Sequence, residues 1–363
     1  MLVNPYEFAV AGGGGANGFY RTVTIDHTKV GASDATDFPV LLSFTDTTFK
    51  TVANGGHVDN TAGKNSIRPY SDVGLTTLLK FEWEVYGATT GNVIMHIKVP
   101  TVSHTSDTVF YLKYGATADT TDVSDAPNVW DTNFKVVHHY TDGSTLSVAD
   151  STSSGANGVK STNGVDSATG SPTATTGVID GGMDITANEY LYVVEGAFPA
   201  SNLTASFWVT PGSNSGQKGL FETTTGTPPN VTDTFPFMLI QNNAGTLQFY
   251  ADGNYRDTSQ TLSVGTPCLL HVTWSKSGGT STWKFYKNAS LLSTYTATPG
   301  DLNHPPGSTA NLCLGIGFNG FTTAKYDEFR WSHSTRGPDW ITAEWNNQNA
   351  PGSFSTLGGE VAI

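Results

Sequence analysis

Three groups of side chains in this sequence could do chemistry: an adjacent histidine pair, carboxylates inside strand-like stretches, and tyrosines beside amides and acids at a turn. His138 and His139 are the first choice for a metal. Neighbouring residues on a strand point to opposite faces, so the two cannot chelate one ion unless the chain bulges there, and they read as structural histidines. Asp327 precedes Phe329 and Trp331, and alternation puts it on their dry face. A carboxylate there needs donors or a cation. Two readings stand for it: an acceptor for backbone N–H groups of a nearby loop, or a calcium ligand together with Asp150 or Asp142. No dense run of alternating aspartates supports the ion.

The stretch LQFYADGNYRDTS offers Tyr250, Asp252, Asn254, Tyr255 and Arg256. A hairpin turning at Asp252-Gly253 puts the two tyrosines on its two arms. A flat ring can stack on the apolar face of a sugar while amides and carboxylates take its hydroxyls. The alternative is an inward-packed tyrosine and ordinary turn chemistry. Glycoside hydrolysis would need two carboxylates about 5 to 9 Å apart across a cleft. Glu82 and Glu84 have i, i+2 spacing but flank Trp83, and a solvated strand face accounts for them. No G-x-S-x-G and no thiol–histidine motif occurs, so the chain reads as a non-enzyme.

The elements that would carry these residues are strands. Charged residues make up 13% of 363, and 40 glycines sit among abundant Ser and Thr. That mixture fits short strands and many turns, an all-β class of two β-sandwich domains. A net charge of -13 without a basic stripe argues against nucleic acid, and no apolar run reaches the roughly 18 residues of a membrane span. The N-terminus lacks a basic region before an apolar one, so no secretory signal is expected. Cys268 and Cys313 lie in strand-like stretches and read as buried reduced thiols, their pairing left open by spacing alone.

Taken in order, residues 1–18 form a glycine-rich arm whose ordering is entropically costly, so it is expected to dock on a neighbour, with Asn4, Pro5, Tyr6 and Phe8 as its contacts. Residues 19–117 hold about six strand-like segments, among them RTVTIDHTKV, FPVLLSFT, FEWEVY and DTVFYLKYG, and predict a sandwich. Residues 118–134 are a polar, proline-containing linker. Residues 135–363 form the second domain, which ends in KYDEFRWSHSTRGPDWITAEWNNQNAPGSF. There a strand with Phe329 and Trp331 on one face and Glu328 and Arg330 on the other precedes a short helix begun by Gly337, Pro338 and Asp339. Ile341 and Trp345 give that helix an apolar edge.

The run DEFRWSHSTRGPDWITAEWNNQNAPGSF resembles the end of concanavalin A-like, laminin-G-like jelly rolls, whose last strand reads D-E-[VF]-R, and more narrowly a bacterial and phage subset with W-I-x-A-E-[YW]-N-N-Q. LTASFWVTP and the D-S-[ST] turn at Asp150, Ser151 and Thr152 are similar to other segments of that family. His139 matches its W-H pair while His138 departs from it. The usual N-G turn is replaced by Asn288-Ala289, and some enzymes of the fold carry an E-x-D-x-x-E string that this chain lacks. Residues 19–117 resemble a bacterial domain of unknown function that precedes laminin-G-like modules, and the N-P-Y-x-F opening resembles those of phage tail and virion proteins. The resemblance implies a jelly roll of about 13 strands. It also implies a virion protein, made in a host cytoplasm without a signal peptide and attached to other virion proteins through the arm. Such a protein would be a homo-oligomer, a trimer by analogy, with a lectin-like module for host-surface glycans; no cofactor is expected beyond the calcium alternative. The competing readings are an extracellular carbohydrate-active enzyme or its binding accessory, and a purely structural decoration protein.

Overall fold

The structure, a computed structural model, describes residues 17–140, 145–166, 171–186, 188–213, 216–224, 237–242, 244–251, 254–297, 309–317 and 320–363, with the backbone alone at Phe237, Met238, Ala251 and Ala310. The expected contact residues Asn4, Pro5, Tyr6 and Phe8, and Asp142 and Asp252, lie outside them. The chain divides into two compact units: the residues up to Val129 with Ala350–Ile363, and Trp130–Asn349. No helix among the described residues is long and apolar enough to cross a membrane.

In the first unit, Phe19–Ile25 lies between Thr108–Tyr114 and the C-terminal strands Ser355–Leu357 and Val361–Ala362. A second sheet has the order Ala35–Thr45, Asn92–Val102, Phe81–Tyr86. Alternation works as expected where Val23 and Ile25 are fully buried. It fails at Asp26, whose side chain accepts from Thr28 N and starts a 3-10 turn over His27–Lys29 in what reads as a continuous strand. Two boundaries are corrected. Residues 118–129 are no free linker, because Asp119 takes Arg68 at 3.0 Å and Lys113 at 2.9 Å and Asp125 takes Lys80 at 2.6 Å. Ala350–Ile363 belongs to this unit and not to the second, since its strands extend the first sheet. Gly358 makes that possible: its N–H donates to Thr22 O at 2.8 Å, and a Cβ there would lie 2.1 Å from Thr22 Oγ1.

Glu82 and Glu84 also depart from expectation. Glu82 is 4% exposed, and Glu84 ion-pairs with the buried His96 at 2.6 Å. The register shifts between Trp83 and Val85, so Glu84 sits at a bulge and not on a solvated face.

Among the described residues, the second unit is a sandwich of two antiparallel eight-stranded sheets. The first runs Thr173–Thr176, Gly181–Ile185, Ala324–Ser332, Asn202–Pro211, Cys268–Ser277, Thr280–Lys287, Ser290–Ala297, with Phe134–His138 also on the Ala324–Ser332 strand. The second runs Asn254–Thr261, Thr246–Ala251, Phe237–Gln241, Lys218–Thr224, Ala310–Leu314, Glu189–Glu195, Gly158–Thr162, Val165–Asp166. Between them lies one core that includes Phe207, Phe221, Phe249, Trp274, Phe285, Phe329 and Trp331. The jelly-roll expectation holds in fold, while the two sheets contain sixteen described strands where the resemblance implied about 13. Asn288 and Ala289 close the Lys287↔Ser290 hairpin with φ of 51° and 61°, the geometry of a type I′ turn without its usual glycine. Cys268 and Cys313 are both buried and free, and burial pushes the Cys268 thiol up to about 11.

The strand Ala324–Ser332 is where simple alternation breaks. Arg330 pairs with Ser206 but Asp327 with Trp208, one residue more on the closing strand than on its neighbour. Glu328 absorbs the difference with a φ of 50°. Tyr326 and Phe329 therefore both enter the core, and Asp327 faces outward beside Trp208, against the parity argument.

Candidate functional site

The strands expected on either side of Asp252 and Gly253 pair with one another, while those two residues lie outside the described ones. Tyr250 pairs with Tyr255 and Ala251 with Asn254 across it. The two rings lie 4.9 Å apart at 60°, and Tyr255 is 44% exposed. Alternation separates the rest of the expected set. Arg256 pairs with the core residue Phe249, lies 4.1 Å above the Tyr295 ring and donates to Tyr255 O, so it points away from the tyrosine face, as Asn254 does by its place two residues earlier. In their place the same period of two brings Gln248 and Asp257, themselves a register pair, onto the tyrosine side. Gln248 Nε2 donates to Asp257 Oδ2 at 3.4 Å. Sequence reasoning missed these two, though stepping back two residues from Tyr250 and forward two from Tyr255 finds them. The arrangement offers two rings for a sugar face with an amide and a carboxylate beside them.

The two aspartates considered for calcium serve separate loops. Asp150 accepts from the N–H groups of Val137 (2.9 Å), Thr152 (3.0 Å) and Ala156 (2.8 Å) and from the Thr152 hydroxyl (2.8 Å). Asp327 Oδ2 accepts from the N–H groups of Val178 and Ile179 at 2.7 and 2.8 Å, which is the loop-acceptor reading. Gly177 makes that approach possible, because a Cβ there would meet Gly181 O at 1.9 Å and Asp327 Oδ2 at 2.5 Å.

The two histidines diverge as adjacent strand residues should. His138 turns to the core beside Phe329 and donates from Nε2 to Ala156 O at 3.0 Å, and burial brings its pKa down to about 4. His139 Nδ1 meets Glu328 Oε1 at 2.6 Å.

That contact opens a buried polar layer on the outer face of the first sheet. Arg330 bridges Glu328 at 2.6 Å and Glu344 at 3.1 Å. Glu344 also meets His271 at 3.3 Å and accepts from Ser206 Oγ at 3.1 Å. It stands on the helix Pro338–Asn349, which starts at the expected proline but buries Glu344 and Gln348 along with Ile341. Gln348 accepts from Trp208 Nε1 at 2.6 Å, and Trp345 packs its ring on Trp208 at 5.3 Å. The helix thus lies on the sheet through a polar seam, and Ile341 and Trp345 do not make an apolar edge by themselves. Burial alone would raise the Glu344 pKa, but Arg330 and then His271 outweigh it and hold the carboxyl at about 2. A carboxylate so held is an ion-pair partner and not a proton donor at neutral pH.

Residues 185–342, all within the second unit, match the family model described as the concanavalin A-like lectin/glucanases superfamily, laminin-G type. The jelly-roll unit is lectin-like in fold. Among solved structures, the chain is similar to domain 4 of an extracellular arabinanase from Geobacillus stearothermophilus in complex with arabinotriose, at 18% identity, covering 58% of this chain and 97% of that one with a TM-score of 0.43. It is also similar to the receptor binding domain of the botulinum neurotoxin C/D mosaic serotype, at 13% identity over 60% of this chain and 51% of that one, TM-score 0.43. The botulinum neurotoxin serotype D ligand binding domain in complex with N-acetylneuraminic acid gives 13% identity, 62% and 53%, TM-score 0.43. The chain spans about half the length of these neurotoxin domains. No match is found among curated proteins.

Proposed function

We propose that the second unit is a non-enzymatic, glycan-binding module whose contact face is the Tyr250–Tyr255 hairpin with Gln248 and Asp257. The observation that carries this reading is the ring pair itself: two tyrosines held 4.9 Å apart on a sheet edge, one of them 44% exposed. An exposed ring backed by a half-buried one, with hydrogen-bonding neighbours, suits a ligand with an apolar face and a rim of hydroxyls. The clamped state of Glu344 and Glu328 supports binding without bond cleavage, since both carboxylates share one guanidinium. Glycan-array binding by the intact protein tests the proposal. Signal that falls at least tenfold in Tyr255→Ala supports it, and product release from a polysaccharide panel that disappears with a single carboxylate substitution overturns it in favour of an enzyme.

Within this reading the chain is a virion attachment or decoration protein, docked through the segment with Asn4, Pro5, Tyr6 and Phe8 as an oligomer that presents the module to a host surface. The support is the resemblance of the opening residues and of the two modules. Removing residues 1–18 should abolish incorporation into particles, and normal incorporation would refute the docking role.

A further inference from the structure

A second recess of the jelly-roll unit lies well away from the hairpin. It has a volume of about 640 Å³ and is lined by Lys135, Ser154, Glu195, Gly196, Phe198 and His333, among others. That size falls within the roughly 300–1,000 Å³ of small-molecule sites. Its residues come from the first strand of the unit, the loop after Asp150, the end of Glu189–Glu195, and the position just past Ala324–Ser332. In the second sheet, Glu189–Glu195 stands five strands from the Asn254–Thr261 edge, roughly 24 Å at the usual strand spacing.

Glu195 is only 3% exposed, and its Oε2 has no hydrogen-bond partner in the protein. Its Oε1 lies 2.7 Å from His333 Nε2, but off the donor line, so the contact leaves the ring nitrogen's hydrogen-bonding capacity unused. A buried carboxylate oxygen without a donor is costly, and most such groups in folded proteins are satisfied. Here the missing donor has a place to come from, because the group borders an open recess.

We infer that this recess binds a small neutral polyol, such as a monosaccharide or an alditol, with Glu195 Oε2 accepting one of its hydroxyls and His333 and Ser154 reaching others. The Phe198 side supplies an apolar wall for the carbon skeleton. Lys135, tethered to Thr132 O at 2.9 Å, lines the same space and disfavours a metal cation there. Its charge and that of Glu195 offset one another, which suits an uncharged ligand. The site stands on observations separate from those behind the hairpin.

The experiment is ligand-observed NMR titration of the full chain with D-glucose, D-galactose, D-mannose and glycerol, and in parallel with calcium chloride. At least one polyol should bind saturably, and equally well to Tyr255→Ala, which separates this site from the hairpin. Glu195→Gln should raise its Kd about tenfold or more. Gly196→Leu should abolish binding, because a Cβ at that glycine meets nothing within 4 Å and a larger side chain can occupy the recess without displacing its walls. If one variant fails to fold, the other decides. No saturable binding by any of the four polyols, or binding unchanged in both variants, overturns the inference. So does polyol binding lost in Tyr255→Ala but kept in Glu195→Gln, or calcium binding that Glu195→Gln removes in the absence of polyol binding.

Discussion

Glu344 and Glu195 are both buried carboxylates in the jelly-roll unit, each within reach of a histidine, yet they sit in opposite circumstances. Glu344 is shared among Arg330, His271, Ser206 and Gln348, so that each of its oxygens is engaged. Glu195 has one off-line contact to His333 and one oxygen with no protein donor, beside open space. Burial and a neighbouring histidine therefore do not distinguish a site from a strut. What distinguishes them is whether the protein itself completes the hydrogen bonding, because a completed network stabilises the fold and an incomplete one beside a recess is left to a ligand.

Substitutions should sort the two clusters by the size of their effect on folding. Glu344→Ala is the most damaging change, since it leaves Arg330 and His271 buried with less compensation, and calorimetry should register a loss of about 3–5 kcal/mol. Acid should act in two windows. His138 has its pKa depressed from 6.5 to about 4 in the fold, so the unfolded chain binds the proton first, and stability falls as pH drops from about 6.5 to 4 by about 3 kcal/mol. Glu344 is depressed from 4.5 to about 2, so its contribution is intact above pH 4.5 and lost as pH falls toward 2. Denaturant titrations across pH should lose the upper slope in His138→Asn and the lower in Glu344→Gln. Asp327→Ala strands the N–H groups of Val178 and Ile179 and should cost about 2–3 kcal/mol. Smallest is Glu195→Gln, which should shift stability by less than about 1 kcal/mol. A loss as large as that of Glu344→Ala would make Glu195 a strut as well and erase the contrast.

Much of the scaffold is legible in the amino-acid sequence. Trp331 and Phe329 in the core, Pro338 at the helix start, and the pairing of Tyr250 with Tyr255 all follow from local rules. Local rules fail where one residue resets a period or a distant segment completes a surface. The φ of 50° at Glu328 moves Asp327 to the other face, and no alternation rule contains that bulge. Glu84 departs from its expected face in the same way. Arg330 and Glu328 sit on the outer face of the first sheet, and the helix Pro338–Asn349 covers them, with Glu344, fourteen residues after Arg330, as a second carboxylate on that guanidinium. Residues 350–363 join the first unit because their pairing partners, Phe19 to Ile25, lie more than three hundred positions earlier. The Glu195–His333 recess is invisible in the sequence for the same reason, its lining being drawn from four separate segments.

The central claim is that the jelly-roll unit recognises a glycan through its tyrosine hairpin, and glycan-array binding compared between the intact chain and Tyr255→Ala tests it most directly. The account predicts a glycan-specific signal for the intact chain that drops at least tenfold in the variant, while the melting temperature stays within about 2 °C because Tyr255 lies outside the core and is 44% exposed. Equal binding by the two proteins, or no binding by the intact chain, would contradict it.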